Sequence, residues 1–335
     1  MTEQNRRMVL AERPSGMVDE ATVRMEPEDV PAVGAGEALA KVRYLSIDPT
    51  IRTWMDDAPG YLPPIGIGEV IRSGGIAEVL ESNSDTYQPG QLLFGMTGWQ
   101  DYVVADEGAR AMRALPPGVP PTTAIGLLGL TGMTAYFGLL DVGKMKEGDV
   151  VVVSGAAGAT GSTVGQIAKI KGAGKVIGIA GGQEKCSWIV DELGFDAAVD
   201  YKNENVAARL REEAPDGIDV YFDNVGGEIL NTCLAQLAMK GRVVVCGAIS
   251  GYNDRGSVRG PANYVNLIRA RGRMEGFLIL DYFDRLPAAQ AEMAGWLAEG
   301  KLKSAEHVVE GLDRAPEALN LLFTGGNIGK VIVKV

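Results

Sequence analysis

The segment that most restricts the fold is Val150-Val-Val-Val-Ser154, an apolar run that ends directly in Gly155-Ala-Ala-Gly158-Ala-Thr-Gly161. A strand that is apolar on both faces belongs inside a parallel sheet, and small residues after it allow a tight turn into a helix. In such a turn the backbone N–H groups of Gly158, Ala159, Thr160 and Gly161 approach a pyrophosphate lying on the helix N-terminus. Glycine by itself is weak evidence, because turns are rich in it. Context decides here: the turn follows a strong strand, opens a helix read over 161–171, and leads to a second strand, Lys175–Ala180. The spacing G-x-x-G-x-x-G is a variant of the commoner G-x-G-x-x-G.

Strand and helix keep alternating. Further strands are expected at 199–200, 220–223 and 241–247, with helices near 184–193, 206–213 and 229–239 between them, which describes a doubly wound parallel sheet. Upstream, short β-like runs such as 38–45, 68–71, 75–80 and 91–94 alternate with Gly/Pro turns, as in a partly open β-barrel. Pro116, Pro117, Pro120 and Pro121 mark a boundary before a helical stretch over 122–140. A helix over 287–299, a final helix and a strand over 329–335 return to the character of the first region. The expected organisation of the 335 residues is therefore a catalytic, substrate-binding domain from 1–123 with 302–335, and a dinucleotide-binding domain from 124–301.

The end of the second strand selects the cofactor. An NAD site places a carboxylate about 20 residues after the glycines, on the ribose hydroxyl. Here the strand ends in Gly181-Gly182 and continues Gln183-Glu184-Lys185. Lys185 puts a cation where a 2′-phosphate would sit, and the glycines leave room for it. The alternative makes Glu184 the ribose ligand and Lys185 a solvated helix residue. Glu184 comes late and begins a helix, which favours NADP.

A formal net charge of −11 argues against nucleic acid or an acidic membrane surface as the main partner. No apolar stretch follows the Met1–Met8 segment, so a cytoplasmic protein without a secretory signal is expected. The uncharged windows 114–140 and 150–168 are broken by proline, glycine and small polar residues and read as buried elements, not membrane spans. Cys186, Cys233 and Cys246 are scattered, and His307 is the sole histidine. A zinc site needs such ligands in closer company. Without a Lewis acid, hydride removal from an alcohol lacks its usual driver, whereas hydride addition to a conjugated C=C–C=O does not need one. His307 is given no role, and the cysteines read as small hydrophobes.

Several segments, in order, resemble those of the zinc-free medium-chain dehydrogenase/reductases, specifically the alkenal and prostaglandin reductase branch. They are Tyr44-Leu-Ser-Ile-Asp-Pro49, Gly129-Leu-Thr-Gly-Met-Thr-Ala-Tyr-Phe-Gly-Leu-Leu140, the glycine turn with Gly165-Gln-Ile-Ala-Lys169, and Asp223-Asn-Val-Gly-Gly227. Cys246-Gly-Ala-Ile-Ser-Gly-Tyr-Asn253, Arg273-Met-Glu-Gly-Phe277 and Gly326-Asn-Ile-Gly-Lys330 complete the set. Gly260-Pro-Ala-Asn-Tyr264 is also similar to the bacterial curcumin reductases of that branch.

The resemblance implies a GroES-like domain beside a Rossmann domain, and an NADPH-dependent reductase of the α,β double bond of enals and enones. It implies pyrophosphate contact at Gly158–Gly161 and 2′-phosphate contact at Lys185 and Tyr201. Asn224, the run Cys246, Gly247, Ala248, Ile249, Ser250, Gly251 and Tyr252, then Phe277, Leu278, Ile279 and Asn327 would line the rest of the cofactor. A homodimer joined through the cofactor domains is implied as well. Asn224 and Asn327 are alternatively turn residues with left-handed backbone. The proton donor is left open between Tyr252, Tyr264 and the cofactor ribose hydroxyl. Thr50, where relatives carry an aromatic residue, and the charges Asp254, Arg255 and Arg259 depart from the pattern on the substrate side. An NADPH:quinone reductase on the same scaffold and a non-catalytic NADPH-binding regulator are the competing functions.

Overall fold

The structure is a computed structural model that describes residues 4–116, 118–254 and 260–335. Pro117, Arg255 and Arg259, singled out above, lie outside the described residues. The chain divides into two compact units. One takes the chain up to Gly126, a short piece beginning at Tyr252, and Glu306–Val335; the other takes Leu127–Gly251 and the chain from Gly260 to Ala305.

The second unit holds a six-stranded parallel sheet of β1 (Val150–Ser154), β2 (Lys175–Ala180), β3 (Ala197–Asp200), β4 (Ile218–Asp223), β5 (Leu237–Val245) and β6 (Arg273–Gly276). Their spatial order is 3-2-1-4-5-6, the order of a dinucleotide-binding doubly wound sheet. The reversal falls between β1 and β4, and sheets of this kind bind their ligands beyond the carboxyl ends of the strands at such a reversal. Val151, Val152 and Val153 are wholly buried, as a strand covered on both faces requires. Helices Ala159–Ile170, Gln183–Asp191, Val206–Glu213 and Gly227–Ala235 connect the strands.

Two sequence expectations need correction. The helix read over 229–239 stops at Ala235, because Leu237 already begins β5. The helical stretch over 122–140 is broken into Pro121–Ile125 and Leu130–Phe137, followed by a π-helical turn, Gly138–Val142. At the break the Leu127 backbone passes so close to Gly132 that a Cβ there would lie 1.8 Å from the Leu127 carbonyl oxygen. Only glycine fits.

In the first unit Lys330–Lys334 lies between Glu306–Glu310 and Ala38–Ser46, and the sheet continues through Gly74–Ser82 and Leu92–Met96 to Arg113–Ala114. Tyr102–Ala105 also pairs with Ala38–Ser46, and bulges after Leu39 and Val42 bend that strand. A hairpin of Gln4–Leu10 and Val23–Asp29 was not foreseen. The segment 68–71, expected as a strand, makes a single bridge between Val70 and Val9. The two resembling motifs at 44–49 and 326–330 meet here: the buried Lys330 Nζ donates to the Ile47 carbonyl (2.8 Å) and to Asp48 Oδ1 (2.6 Å).

Candidate dinucleotide site

The glycine turn is tight because its backbone folds back on itself. Gly155 has φ +60, the Gly158 N–H donates to the Gly155 carbonyl at 2.9 Å, and a Cβ on Gly161 would lie 2.4 Å from that same oxygen. Helix Ala159–Ile170 starts immediately, with no side-chain cap and no acidic residue in its first turn. Its leading N–H groups have no intrahelical acceptors, and the helix dipole adds positive potential there. A cradle without side chains, lined by N–H groups, fits a pyrophosphate.

A second corner forms where β2 ends. Gly182 has φ +97 with open space around its missing side chain, and the Tyr201 ring lies where a Gly181 Cβ would go, 2.8 Å away. The buried Asp200 carboxylate accepts from Gly182 N–H (2.8 Å), Lys202 N–H (3.0 Å) and Asn203 Nδ2 (2.7 Å), so it organises this corner instead of facing a ligand. Those donors, Asn203 foremost, lower its pKa. Lys185 is half-buried while Glu184 is exposed. Burial first, then the neighbouring Lys202 cation, pushes the Lys185 pKa down, with Glu184 acting the other way. Two ammonium groups close enough to repel each other fit a dianionic phosphate. Lys202 was missed from sequence, although it directly follows Tyr201 at the end of β3.

The switch point itself is tied together by polar side chains. Asn224 donates from Nδ2 to the Ser154 carbonyl (2.7 Å) and from its backbone to Ser154 Oγ (3.0 Å), joining the ends of β1 and β4. Asn224 and Asn327 have ordinary backbone, which removes the left-handed alternative for both. Buried Asp223 Oδ1 accepts from Tyr221 Oη (2.7 Å), Gly226 N–H (2.9 Å), Val225 N–H (3.0 Å) and Ser154 Oγ (3.2 Å). Desolvation still holds its pKa above the ordinary carboxylate value. The segment 246–251 lies along this turn: Cys246 and Gly247 donate to the Asp223 carbonyl, and Ser250 Oγ to the Val225 carbonyl. Left-handed Gly226 and Gly227 make space for it, since a Cβ on either would press on Ala248 or Ser250 at 3.3 and 3.1 Å. Burial, then the Asp223 charge, pushes the Cys246 thiol up to about 12, so it is an inert neighbour and not a nucleophile.

Phe277, Leu278 and Ile279 follow the carboxyl end of β6, and the Phe277 ring packs where a Gly138 Cβ would stand. The expected residues from Gly158 to Gly161, Lys185, Tyr201, Asn224, 246–251 and 277–279 thus all follow carboxyl ends of strands in one unit. Asn327 and Tyr252 belong to the other. There Asn327 is buried and donates from Nδ2 to the Gly329 carbonyl at 3.0 Å. Tyr264 lies in the sheet unit but is 62% exposed. Its loop is fastened to Asn231, which accepts from Ala262 N–H at 3.0 Å and, through its carbonyl, from Asn263 Nδ2 at 2.7 Å. His307 sits in the strand Glu306–Glu310, opposite Val331. Among the described residues no group of three or more His, Cys, Asp or Glu is arranged to hold a metal ion, and no helix is long and apolar enough to cross a membrane.

Strand order and glycine turn define a dinucleotide-binding fold of the doubly wound type. Two families match parts of the chain: the N-terminal domain of oxidoreductase over residues 6–113, and zinc-binding dehydrogenase over residues 159–295. Across 99% of its length the chain is 40% identical to the NADPH-dependent curcumin reductase of Escherichia coli (strain K12), of which 97% is covered. It is 41% identical to the 2-alkenal reductase (NADP(+)-dependent) of Nicotiana tabacum, over 90% of this chain and 88% of that one. The structure of CurA in complex with NADPH from Vibrio vulnificus superposes with a TM-score of 0.93 at 41% identity, over 98% and 99% of the two chains. The chain belongs to the medium-chain dehydrogenase/reductase superfamily, in the branch of alkenal, prostaglandin and curcumin reductases.

Proposed function

We propose that this chain is an NADPH-dependent reductase of the α,β carbon–carbon double bond of enals and enones. The observation that carries this reading is full-length identity of about two residues in five to enzymes named for that chemistry. The Lys185–Lys202 corner supports NADPH over NADH independently.

When bound, the nicotinamide supplies the hydride that adds to the substrate β-carbon. The protein's part is to bind, orient and handle protons. N–H groups of residues 159–161 hold the pyrophosphate, and Lys185, Lys202 and Tyr201 hold the 2′-phosphate. Asn224, residues 246–251 and Phe277 to Ile279 position the remainder of the dinucleotide. As hydride arrives, negative charge builds on the carbonyl oxygen, and a hydrogen bond there stabilises the enolate. The phenol of Tyr252 or Tyr264, or the cofactor ribose hydroxyl, donates it. The α-carbon then takes a proton. No step requires a metal, in keeping with the absence of cysteine and histidine before Cys186.

In this reading 1–123 with 302–335 form the substrate domain and 124–301 the cofactor domain. The protein is cytoplasmic and homodimeric. Support for self-association comes from β6, whose outer edge is unpaired among the described residues, and from Val265 and Ile268 nearby in sequence, 57% and 79% exposed.

An NADPH-oxidation screen across enals, enones, quinones and ketones tests the activity. Enals or enones should be the fastest class. Faster quinone turnover would replace this reading with a quinone reductase, and tight NADPH binding without turnover on any class with a regulator. Tyr252→Phe or Tyr264→Phe should lower kcat on an enone roughly 10- to 1000-fold with little change in NADPH affinity. Parental kcat in both variants and the double variant would assign the proton to the ribose hydroxyl or water.

A further inference from the structure

At the opposite, amino ends of the same strands is a hollow of about 340 Å³ lined by Lys144, Lys146, Lys240, Arg242, Arg271 and Arg273. All six lining residues are cationic, in a chain whose net charge is −11. They come from three separate segments. Lys144 and Lys146 precede β1, Lys240 and Arg242 lie on β5, and Arg271 and Arg273 meet at the start of β6. The register places Arg242 directly beside Arg273 on the adjacent strand. Gly241 and Gly272 allow the two backbones to approach, since a Cβ on Gly272 would lie 2.7 Å from the Gly241 carbonyl oxygen.

The backbone reinforces the clustering. Among the described residues, the non-glycine positions with left-handed backbone are Lys144 (φ 46), Lys240 (φ 61) and Arg271 (φ 46), all in this hollow. Glycine would adopt that conformation without strain, and like charges set side by side across strands repel. Carboxylates answer only part of the charge: Arg242 pairs with Asp149 at 2.6 Å, and Arg273 approaches Glu275 at 3.5 Å. Among the described residues the Arg271 side chain finds only the Met239 sulfur at 3.1 Å and the Arg269 carbonyl at 3.5 Å. Among the described residues the side chains of Lys144, Lys146, Lys240 and Arg271 have no carboxylate partner, although the Lys146 backbone N–H donates to Asp149 Oδ2 at 2.8 Å.

We infer that this hollow is a binding site for a small anion carrying two or more linked phosphates, separate from the dinucleotide site. Guanidinium forks and ammonium groups converging from several directions match phosphate oxygens. A cavity of this size suits a small ligand, and the acidic remainder of the surface repels a long polyanion.

The test is calorimetric titration of the full chain, already saturated with NADPH, with inorganic tripolyphosphate and with orthophosphate. One tripolyphosphate should bind per chain, at least about 10-fold more tightly than orthophosphate. The double variant Lys240→Gly/Arg271→Gly keeps a backbone that glycine accepts, so its melting temperature should hold or rise while tripolyphosphate affinity falls at least about 10-fold. Exposed Lys146→Gln gives a second variant that leaves the left-handed positions intact, and it should weaken binding severalfold. Lys185→Ala should leave tripolyphosphate affinity unchanged. Absence of binding, loss of binding on NADPH saturation, or equal affinity in the parent and both hollow variants would overturn the inference.

Discussion

The two ends of the parallel sheet solve opposite problems with backbone of positive φ. At the carboxyl end, left-handed positions are filled by Gly155, Gly182, Gly226 and Gly227, and removing side chains exposes N–H groups or admits a neighbouring segment. At the amino end, Gly148, Gly172 and Gly217 turn the chain in the ordinary way, yet Lys144, Lys240 and Arg271 also take positive φ with long cationic side chains attached. One end gathers partial positive charge from peptide dipoles, the other full charge from side chains. The first arrangement suits a ligand that comes close to the backbone; the second suits one whose several charges are reached by long side chains.

The largest effect should come from filling the carboxyl-end cradle. Gly161→Ala drives a methyl group into backbone on two sides, at 2.4 Å from Gly155 oxygen and 2.9 Å from Ala156 Cα. It should cost about 3 kcal/mol of stability in urea unfolding and about 100-fold or more in NADPH affinity. Gly158→Ala meets only the Gly155 carbonyl, at 3.2 Å, and should cost about 1 kcal/mol or less. Equal losses in the two variants would break the account of the cradle.

Next in size is Lys185→Ala. Loss of a charge-assisted hydrogen bond to phosphate removes roughly 1.5–3 kcal/mol, so the preference for NADPH over NADH should fall about 10- to 100-fold. Equal affinity for both cofactors in the parent protein would sink the phosphate corner altogether.

A smaller effect sharpens the contrast between the ends by its sign. Lys144→Gly should stabilise the fold by up to about 1 kcal/mol by relieving left-handed strain, partly offset by greater freedom of the unfolded chain. Gly155→Ala, at φ +60, should destabilise it by about 1–2 kcal/mol. Chemical denaturation of the two variants checks both signs.

The smallest concerns thiols. Folded-state values of about 12 for Cys246 and about 11 for Cys186 exceed the ordinary thiol value of 9.0. Between pH 9 and 11 the folded state keeps protons that the unfolded state has lost, so stability falls as pH rises. Cys246→Ala should flatten that fall, and iodoacetamide should label the native protein slowly at neutral pH.

The parallel sheet was legible in the sequence because strands buried on both faces are written as continuous apolar runs, Val150–Ser154 above all. The cofactor turn was legible because small residues there have no alternative use. What escaped was structure made by contacts between distant segments. Gln4–Leu10 pairs with a strand containing Pro27, Glu26 and Glu28, which carry no strand pattern. Helix 122–140 looked continuous because the approach of Leu127 to Gly132 depends on tertiary packing. Lys202 and the amino-end hollow were invisible for a related reason: their cations lie far apart in sequence and converge only through the sheet register.

The position of Lys330–Lys334 between Glu306–Glu310 and Ala38–Ser46 sets a schedule for biosynthesis. Ala38–Ser46 leaves the ribosome early, but the neighbour that completes it is translated roughly 280 residues later, a wait of about 15–60 s at ordinary elongation rates. Throughout that interval the nascent first unit displays an open strand edge and leaves the groups around Asp48 without Lys330. The dinucleotide-binding unit, whose six strands all lie in between, can finish folding first and keep the unfinished segment apart from its own later half. A nascent chain paused just before Lys330 should therefore show a protease-resistant second unit beside a digestible first one.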